Sequence, residues 1–335
     1  MAKKRSSLYN SGRKNPNGYP KSRKILKERI AIAVVIIIAL IGGLISLLEN
    51  KGIINRGELL NNTGVVDSIK TSDSDFAVYY LDAGQSDCSI IVCDDQVMMI
   101  DAGTYDQVEN IREALLSLNI SRIDYMVITH QHDDHMGGAA TILQNYDVKN
   151  IIMPRLSEIN IVTTYAYEEL LTSISERNVN AIAAEPGYHF NIGTADIDIF
   201  SPSEQDKNIN NMSVVLKVVF GNTSFLFQGD AEKKIENALL KTDYDLTADV
   251  IKVGHHGSKT SSTAKYIQAV SPKAAIISCG ADNSYGHPHT ETLETLENAD
   301  VDIYITSLIG NITAVSDGNK ITITNEKTED VRTYE

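Results

Sequence analysis

Tryptophan is absent from the 335 residues, cysteine occurs three times and proline seven times. So few thiols exclude a disulfide-stapled mini-protein, and their spacing offers no cysteine metal site. Cys88 and Cys93 fall on one expected strand at an odd separation, which puts them on opposite faces, and Cys279 stands alone. No internal repeat of fixed period is present, and no low-complexity tract beyond the N-terminal head. Collagen and low-complexity polymers are thereby excluded. Acidic residues are nearly missing from the first 29 positions, where ten Lys and Arg meet only Glu28, for a net +9. The other 306 residues hold 20 basic and 43 acidic side chains, a net −23. With 42% hydrophobic residues, the chain can build one large domain or two medium ones.

Charge is also missing from Ile30 to Leu48, a run of 19 apolar or small residues. As a helix rising ~1.5 Å per residue it would extend about 28 Å, the thickness of a bilayer's hydrocarbon core. A buried core helix of this length would normally keep one polar face. A cleaved secretory signal would have a shorter apolar region and a small-residue cleavage site, and Leu47-Leu48-Glu49-Asn50-Lys51 fits poorly. The sequence therefore favours one uncleaved membrane span at 30–48, with the basic segment 1–29 in the cytoplasm and the acidic body outside the cell membrane. Residues 49–74, polar with scattered Gly, Asn and Ser, read as a linker. The basic head is accounted for as a topology signal on an anionic membrane surface.

From residue 75 to 328 short apolar runs alternate with helical periodicity, leaving 329–335 as a tail. Strands are expected at 76–82, 88–93, 96–101, 124–129, 150–153, 195–200, 212–220, 223–228, 248–253, 274–278, 301–305, 311–316 and 319–324. Helices are expected at 106–118, 136–146, 162–177, 231–240, 261–270 and 290–298. Strand-rich halves with helices between them argue for an α/β architecture of two facing sheets with helices outside.

The eight histidines are unevenly spread. His130, His132 and His135 lie in Thr129-His130-Gln131-His132-Asp133-Asp134-His135, directly after the DYMVI strand and before Gly137-Gly138. A strand end turning into a glycine-rich helix start projects these side chains into one small volume. Imidazoles and carboxylates crowded there call for a divalent cation. The HxHxDH spacing can split its ligands, two histidines to one ion and the Asp-His pair to a neighbour. Gln228-Gly229-Asp230 ends another buried strand, and an acid at such a tip can bridge two cations. Gly254-His255-His256-Gly257-Ser258-Lys259 and Gly286-His287-Pro288-His289 form two more clusters, and only His189 lies outside them.

These pieces, with Leu81-Asp82-Ala83-Gly84-Gln85-Ser86-Asp87, Ile100-Asp101-Ala102-Gly103 and Asn211-Met212-Ser213-Val214-Val215, occur in one order. In that order they resemble the metallo-β-lactamase superfamily and, within it, the hydrolase domain of ComEC-type DNA-uptake competence proteins. The resemblance implies an αββα metallo-β-lactamase sandwich preceded by one transmembrane helix, with a two-metal site. His130 and His132 would hold one ion and Asp134, His135 and His256 the other, with Asp230 bridging. Asp134, Asp230 and His287 are the implied catalytic residues. Asp101 would orient a ligand. Asp82, Asn211, Ser213, His255, Ser258, Lys259 and His287 would surround the ions or touch substrate. Zinc suits the ligands, with manganese or iron as alternatives. The resemblance departs at three points: only His189 lies between the HxHxDH run and Asp230, where many superfamily members place a further ligand; Gln85-Ser86-Asp87 stands where the family usually has Gln-Gly-Asp; and the single apolar run does not match a multi-span transport channel.

The resulting expectation is a membrane-anchored hydrolase in which paired ions activate water, with a phosphodiester as substrate and DNA as one such diester. Ser258, Lys259 and His287 are candidate holders of phosphate oxygens, with Lys252 a further local cation. The acidic body argues against a polyanion unless basic residues cluster. An esterase on surface phosphodiesters such as phosphorylcholine, a lactone or amide hydrolase, and a non-catalytic binding module remain alternatives. Nothing in the sequence identifies a protein partner.

Overall fold

The computed structural model describes residues 76–328 and 330–335. The expected head 1–29, span 30–48 and linker 49–74 lie outside the described residues. Among those described, no helix is long and apolar enough to cross a membrane.

The chain first lays down strands β1 (Phe76–Tyr80), β2 (Ser89–Cys93), β3 (Gln96–Ile100), β4 (Arg122–Val127), β5 (Asp147–Met153) and β6 (Asn180–Ala183). It then builds β7 (His189–Ile192), β8 (Ala195–Ser201), β9 (Val215–Phe220), β10 (Thr223–Phe227), β11 (Val250–Lys252), β12 (Ala274–Ile277) and β13 (Asp302–Ile305). It closes with β14 (Ile312–Ser316), β15 (Ile321–Asn325) and β16 (Arg332–Tyr334). The first sheet runs β16-β15-β14-β1-β2-β3-β4-β5-β6 and the second β13-β12-β11-β10-β9-β8-β7. Helices α1 (Val108–Ser117), α2 (Asp133–Met136), α3 (Ala139–Asn145) and α4 (Tyr165–Arg177) lie between strands of the first sheet. Helices α5 (Lys233–Leu239), α6 (Ala264–Val270) and α7 (Thr290–Glu297) lie between strands of the second.

Both faces of each sheet are covered, and this explains why the strands read as unbroken apolar runs. In β1 the side chains of Phe76, Val78 and Tyr80 meet Phe225, Phe227 and Leu216 of the opposite sheet. Ala77 and Tyr79, pointing the other way, pack with Ile111, Leu115, Leu143 and Leu170 of the outer helices. In β10, Phe225 and Phe227 face inward while Leu226 packs outward with Ile235, Tyr266 and Leu296. The result is an α/β/β/α sandwich. Cys93 lies in the inner core and Cys88 in the outer one, and all three cysteines are free and buried.

Several elements differ from the sequence reading. The helix expected at 136–146 breaks into α2 and α3 at Gly137-Gly138, where a Cβ on Gly138 would stand 2.3 Å from the Ala102 carbonyl oxygen. The strand expected from 212 begins at Val215, because residues 209–212 wind into a 3-10 turn. Strands β6 and β7 were not expected; each has four residues with exposed positions and so little apolar signal. The segment 329–335 is not a bare tail: Arg332–Tyr334 pairs antiparallel with β15. Its side chains are largely exposed, as suits an edge strand, and Tyr334 Oη lies 2.6 Å from Tyr304 Oη.

One edge of the sandwich gathers the loops that matter. Strands β3, β4 and β5 run parallel, as do β10, β11, β12 and β13, so their C-terminal ends emerge together within each sheet. Strands β2 and β9 run opposite to their neighbours β3 and β10, so their starts reach the same edge.

Phe225 is fully buried and lies 5.2 Å, ring to ring, from Phe76 of the opposite sheet. Phe225→Ala should cost about 3–5 kcal/mol in urea unfolding. A loss under about 1 kcal/mol would show that the two sheets do not depend on this contact.

Candidate metal centre

Thr129 to His135 turn from β4 into α2 and carry three imidazoles into the edge described above. Asp101 follows β3 and fixes this turn from behind. Its carboxylate accepts the Thr129 amide at 2.7 Å and the Thr129 hydroxyl at 2.8 Å. It also accepts the His135 Nδ1 proton at 2.8 Å. That hydrogen bond leaves His135 Nε2 facing Asp230 Oδ1 at 3.3 Å. His256 is oriented by the same logic from the opposite sheet. Its Nδ1 donates to the Ser278 carbonyl at 3.0 Å, so Nε2 faces Asp134 Oδ2 at 3.2 Å and Asp230 Oδ2 at 3.8 Å. Asp230 follows β10, and its amide donates to Ser213 Oγ at 2.9 Å. His130 Nε2 lies 3.8 Å from Asp230 Oδ2 and 3.0 Å from His132 Nδ1. The Asp230 carboxylate thus stands between the His130 side and the His135–His256 side.

The charges in this volume hold one another. Burial alone would strip the proton from His135, but Asp230, Asp101 and Asp134 outweigh it and keep the ring well above its ordinary value. Burial also opposes the charge on His256, yet Asp230 and Asp87 push it up to about 10. Asp230 is held well below the usual carboxylate range because His135 and His256 outweigh its burial. Asp134 falls to about 2 on the same balance. His130 is driven well below its normal value by burial and by the His135 charge.

Among the buried atoms without a hydrogen-bond partner of good geometry are His135 Nε2 and Asp230 Oδ1, which face each other as an ion pair at 3.3 Å. Such orphans are uncommon in folded proteins. One ligand atom from each of Asp134, His135, Asp230 and His256 lies within 4.8 Å of the others. Two ligands each about 2.1 Å from a tetrahedral ion stand roughly 3.4 Å apart, close to the separations found here. The residues therefore fit a divalent ion, and His130 and His132 add two imidazoles on the other side of Asp230. His189 takes no part: it lies on β7 with Nδ1 2.9 Å from Asp198 Oδ1.

The remaining sequence candidates divide. Ser213 Oγ, besides holding the Asp230 amide, lies 3.3 Å from His130 Nδ1. His255 lines the cleft with Nε2 3.6 Å from Asp230 Oδ2, while its Nδ1 lies 3.0 Å from Thr260 Oγ1. His287 also lines the cleft. Gln85 Oε1 accepts the Gly280 amide, so Gln85 Nε2 donates to His287 Nδ1 at 3.3 Å and the ring proton sits on Nε2. Burial, with His256 and His255 nearby, lowers the His287 pKa to about 4 and keeps it neutral.

Four candidates are not brought to the ions. Asp82 faces Lys327 at 3.7 Å, because the turn after β1 points its carboxylate toward the bend that follows β15. Asn211 braces its own loop, donating to Asp206 and accepting the Glu232 amide. Ser258 Oγ accepts the Thr260 amide and hydroxyl. Lys259 is exposed and pairs with Glu291 at 3.6 Å. Lys252, a candidate phosphate holder, is buried instead, with Nζ 2.8 Å from Asp87 Oδ2.

Asp87 is itself a residue the sequence reading quoted without a role. Its other oxygen stands 3.2 Å from His256 Nδ1, and Lys252 and His256 overcome its burial to keep it ionised. Glu236 was missed altogether. Fully buried, it accepts from Gln228 Nε2 at 2.6 Å and the Thr263 amide at 3.0 Å, and from the Ser262 amide. Gln228 sits against Gly254, where a Cβ would meet its side chain at 2.7 Å. Glu236 therefore ties the tip carrying Asp230 to the loop carrying His255 and His256. An acid within a helical run carries no sequence mark of this role.

The metallo-beta-lactamase superfamily profile matches residues 81–281. ComE operon protein 3 of Bacillus subtilis is 33% identical over 199 residues, covering 59% of this chain and 25% of that protein. Competence protein ComA of Neisseria gonorrhoeae is 30% identical over 226 residues, covering 66% and 29%. The chain thus spans between a quarter and a third of the length of these curated relatives. CmlA, a diiron beta-hydroxylase from Streptomyces venezuelae, shares the fold with a TM-score of 0.51 at 12% identity, over 74% of this chain and 55% of that one. The chain belongs to the metallo-beta-lactamase superfamily.

Zinc at a hundredfold excess over its dissociation constant should stabilise the full chain by about 2.7 kcal/mol, seen as a rise in Tm that a chelator reverses. Asp230→Ala should abolish the rise, and Glu236→Gln should weaken zinc binding about tenfold. An unchanged zinc response in Asp230→Ala would place the ion elsewhere.

Proposed function

We propose that this superfamily member is a metal-dependent phosphodiesterase held at the cell membrane by residues 30–48. The observation that carries the catalytic reading is the convergence of Asp134, His135, Asp230 and His256, one ligand atom of each lying within 4.8 Å of the others at the cleft. The motif resemblance to the hydrolase domain of DNA-uptake competence proteins, joined by the likeness to ComE operon protein 3 and competence protein ComA, favours a phosphodiester as the target.

Divalent ions held here would supply Lewis acidity and bring the ionisation of water toward neutral pH. Asp134, His135, Asp230 and His256 would hold one ion; His130 and His132 would hold a second, with Asp230 shared. Asp101 and the Ser278 carbonyl keep the His135 and His256 rings in the tautomer that presents Nε2. The neutral His287 keeps a proton on Nε2 at the cleft wall, where it can donate to a non-bridging phosphate oxygen. The cleft has a volume of about 370 Å³, and among the described residues its lining includes Gln85, Gln131, His132, Asn210 and Tyr285 but no Lys or Arg. With no cationic clamp along its walls, the site favours a short diester over a long polyanion.

Zinc- or manganese-loaded full chain should hydrolyse bis-p-nitrophenyl phosphate and lose activity to a chelator. Asp230→Ala and His132→Ala should each lower kcat at least a hundredfold. Full activity in either variant, or turnover of a lactone with none of the diester, would refute the reading.

The anchor rests on the uncharged 30–48 run and the ten basic residues before it. The full chain should stay in the membrane fraction through alkaline carbonate washing, and external protease should reach the body in spheroplasts. Release by the wash, or protection of the body, would overturn the anchor or its orientation.

A further inference from the structure

Three aromatic rings step outward from the metal centre in near-parallel planes. His256, 1% exposed, lies 6.2 Å from His287 with 22° between the ring planes. His287 in turn lies 5.5 Å from Tyr285 at 20°. Both separations fall within the range of favourable ring stacking. Tyr285 is 67% exposed and lines the same cleft as His132, Asp134, Asp230 and His256.

The inner rings of this ladder are fixed. Gln85 holds His287 through Nδ1, and Asn283 clamps its backbone, accepting the His287 amide at 2.9 Å and donating to the His287 carbonyl at 2.6 Å. Tyr285 therefore presents one ring face to His287 and leaves most of its surface to solvent at the mouth of the cleft. A large exposed ring with a supported inner face has no structural duty that its burial would reveal. Among the described residues the cleft lining also contains no Lys or Arg, so these walls offer a substrate contacts other than ion pairs with basic side chains beyond the scissile group.

We propose that Tyr285 is the specificity-determining platform of this site, stacking a planar ring such as a nucleobase carried by the group esterified to phosphate. This rests on the phosphodiesterase reading and adds to it the class of group that the ester carries. Stacking on an aromatic side chain tolerates any planar base and depends little on salt, unlike recognition by cationic side chains.

Calorimetric binding tests this without requiring turnover. Thymidine 5′-monophosphate should bind the zinc-loaded full chain about tenfold more tightly than ethyl phosphate, which has the same kind of anionic head and no ring. Tyr285→Ala should bring the two affinities to within about twofold, and Tyr285→Phe should restore the tenfold preference. The zinc-induced rise in Tm, measured on each variant, separates loss of the platform from loss of the fold. Equal affinities in the wild type, or a preference that survives Tyr285→Ala in a zinc-responsive protein, overturns the proposal. Selective binding without hydrolysis of any diester refutes the phosphodiesterase reading and leaves the platform standing.

Discussion

A carboxylate almost sealed from water, set among four imidazoles, governs this molecule. Asp230 is 2% exposed, and His130, His135, His255 and His256 each bring a ring nitrogen within 4 Å of it. Charge of either sign is costly at such depth unless it is matched. The fold answers by drawing ligand loops from both sheets to one edge, where the acids and the imidazoles neutralise one another or, together, a divalent ion.

That convergence strains the backbone. Asp101, His255 and His256 all adopt left-handed φ values of 58°, 52° and 53°. A non-glycine residue pays roughly 1–2 kcal/mol for this conformation. Three such residues within one site are held there by their surroundings: Asp101 by Thr129 and His135, His256 by Ser278, and the loop of both histidines by Gln228 and Glu236. Left-handed residues also occur elsewhere among the described residues, at Asp94, Asn119, Asn178, Ser262, Ser271 and Asp300, but these three gather at the centre, as strained residues commonly do at functional sites.

The sequence made visible what depends on local pattern. Strands buried on both faces, such as Phe76–Tyr80 and Phe225–Phe227, stand out as apolar runs, and α1 shows in the spacing of Val108, Ile111, Ala114 and Leu115. The HxHxDH run was legible as a metal-binding pattern because its side chains cluster through adjacency alone. What was illegible depends on partners far along the chain. Lys252 looks like a surface cation until the fold sets it against Asp87, 165 positions away. Asp82 sits in a run of motif residues, but the turn after β1 sends it toward Lys327 while Asp87, five residues on, faces the centre. Short edge strands such as β6 and β16 escape notice because half-exposed residues carry little periodicity.

The first sheet is completed by the last part of the chain: Tyr79 of β1 pairs with Thr313 of β14. During synthesis, one hydrogen-bonding edge of β1 has no neighbour until almost the entire body has emerged. His130 to His135 are likewise made well before His256 arrives from the second sheet. Such long-range closure slows folding and leaves a strand edge exposed to pairing with other chains in the meantime. Assembly of the ion cage therefore waits on the loops of both sheets, and a nascent chain stalled before β14 would keep one edge of β1 open to pairing with other chains.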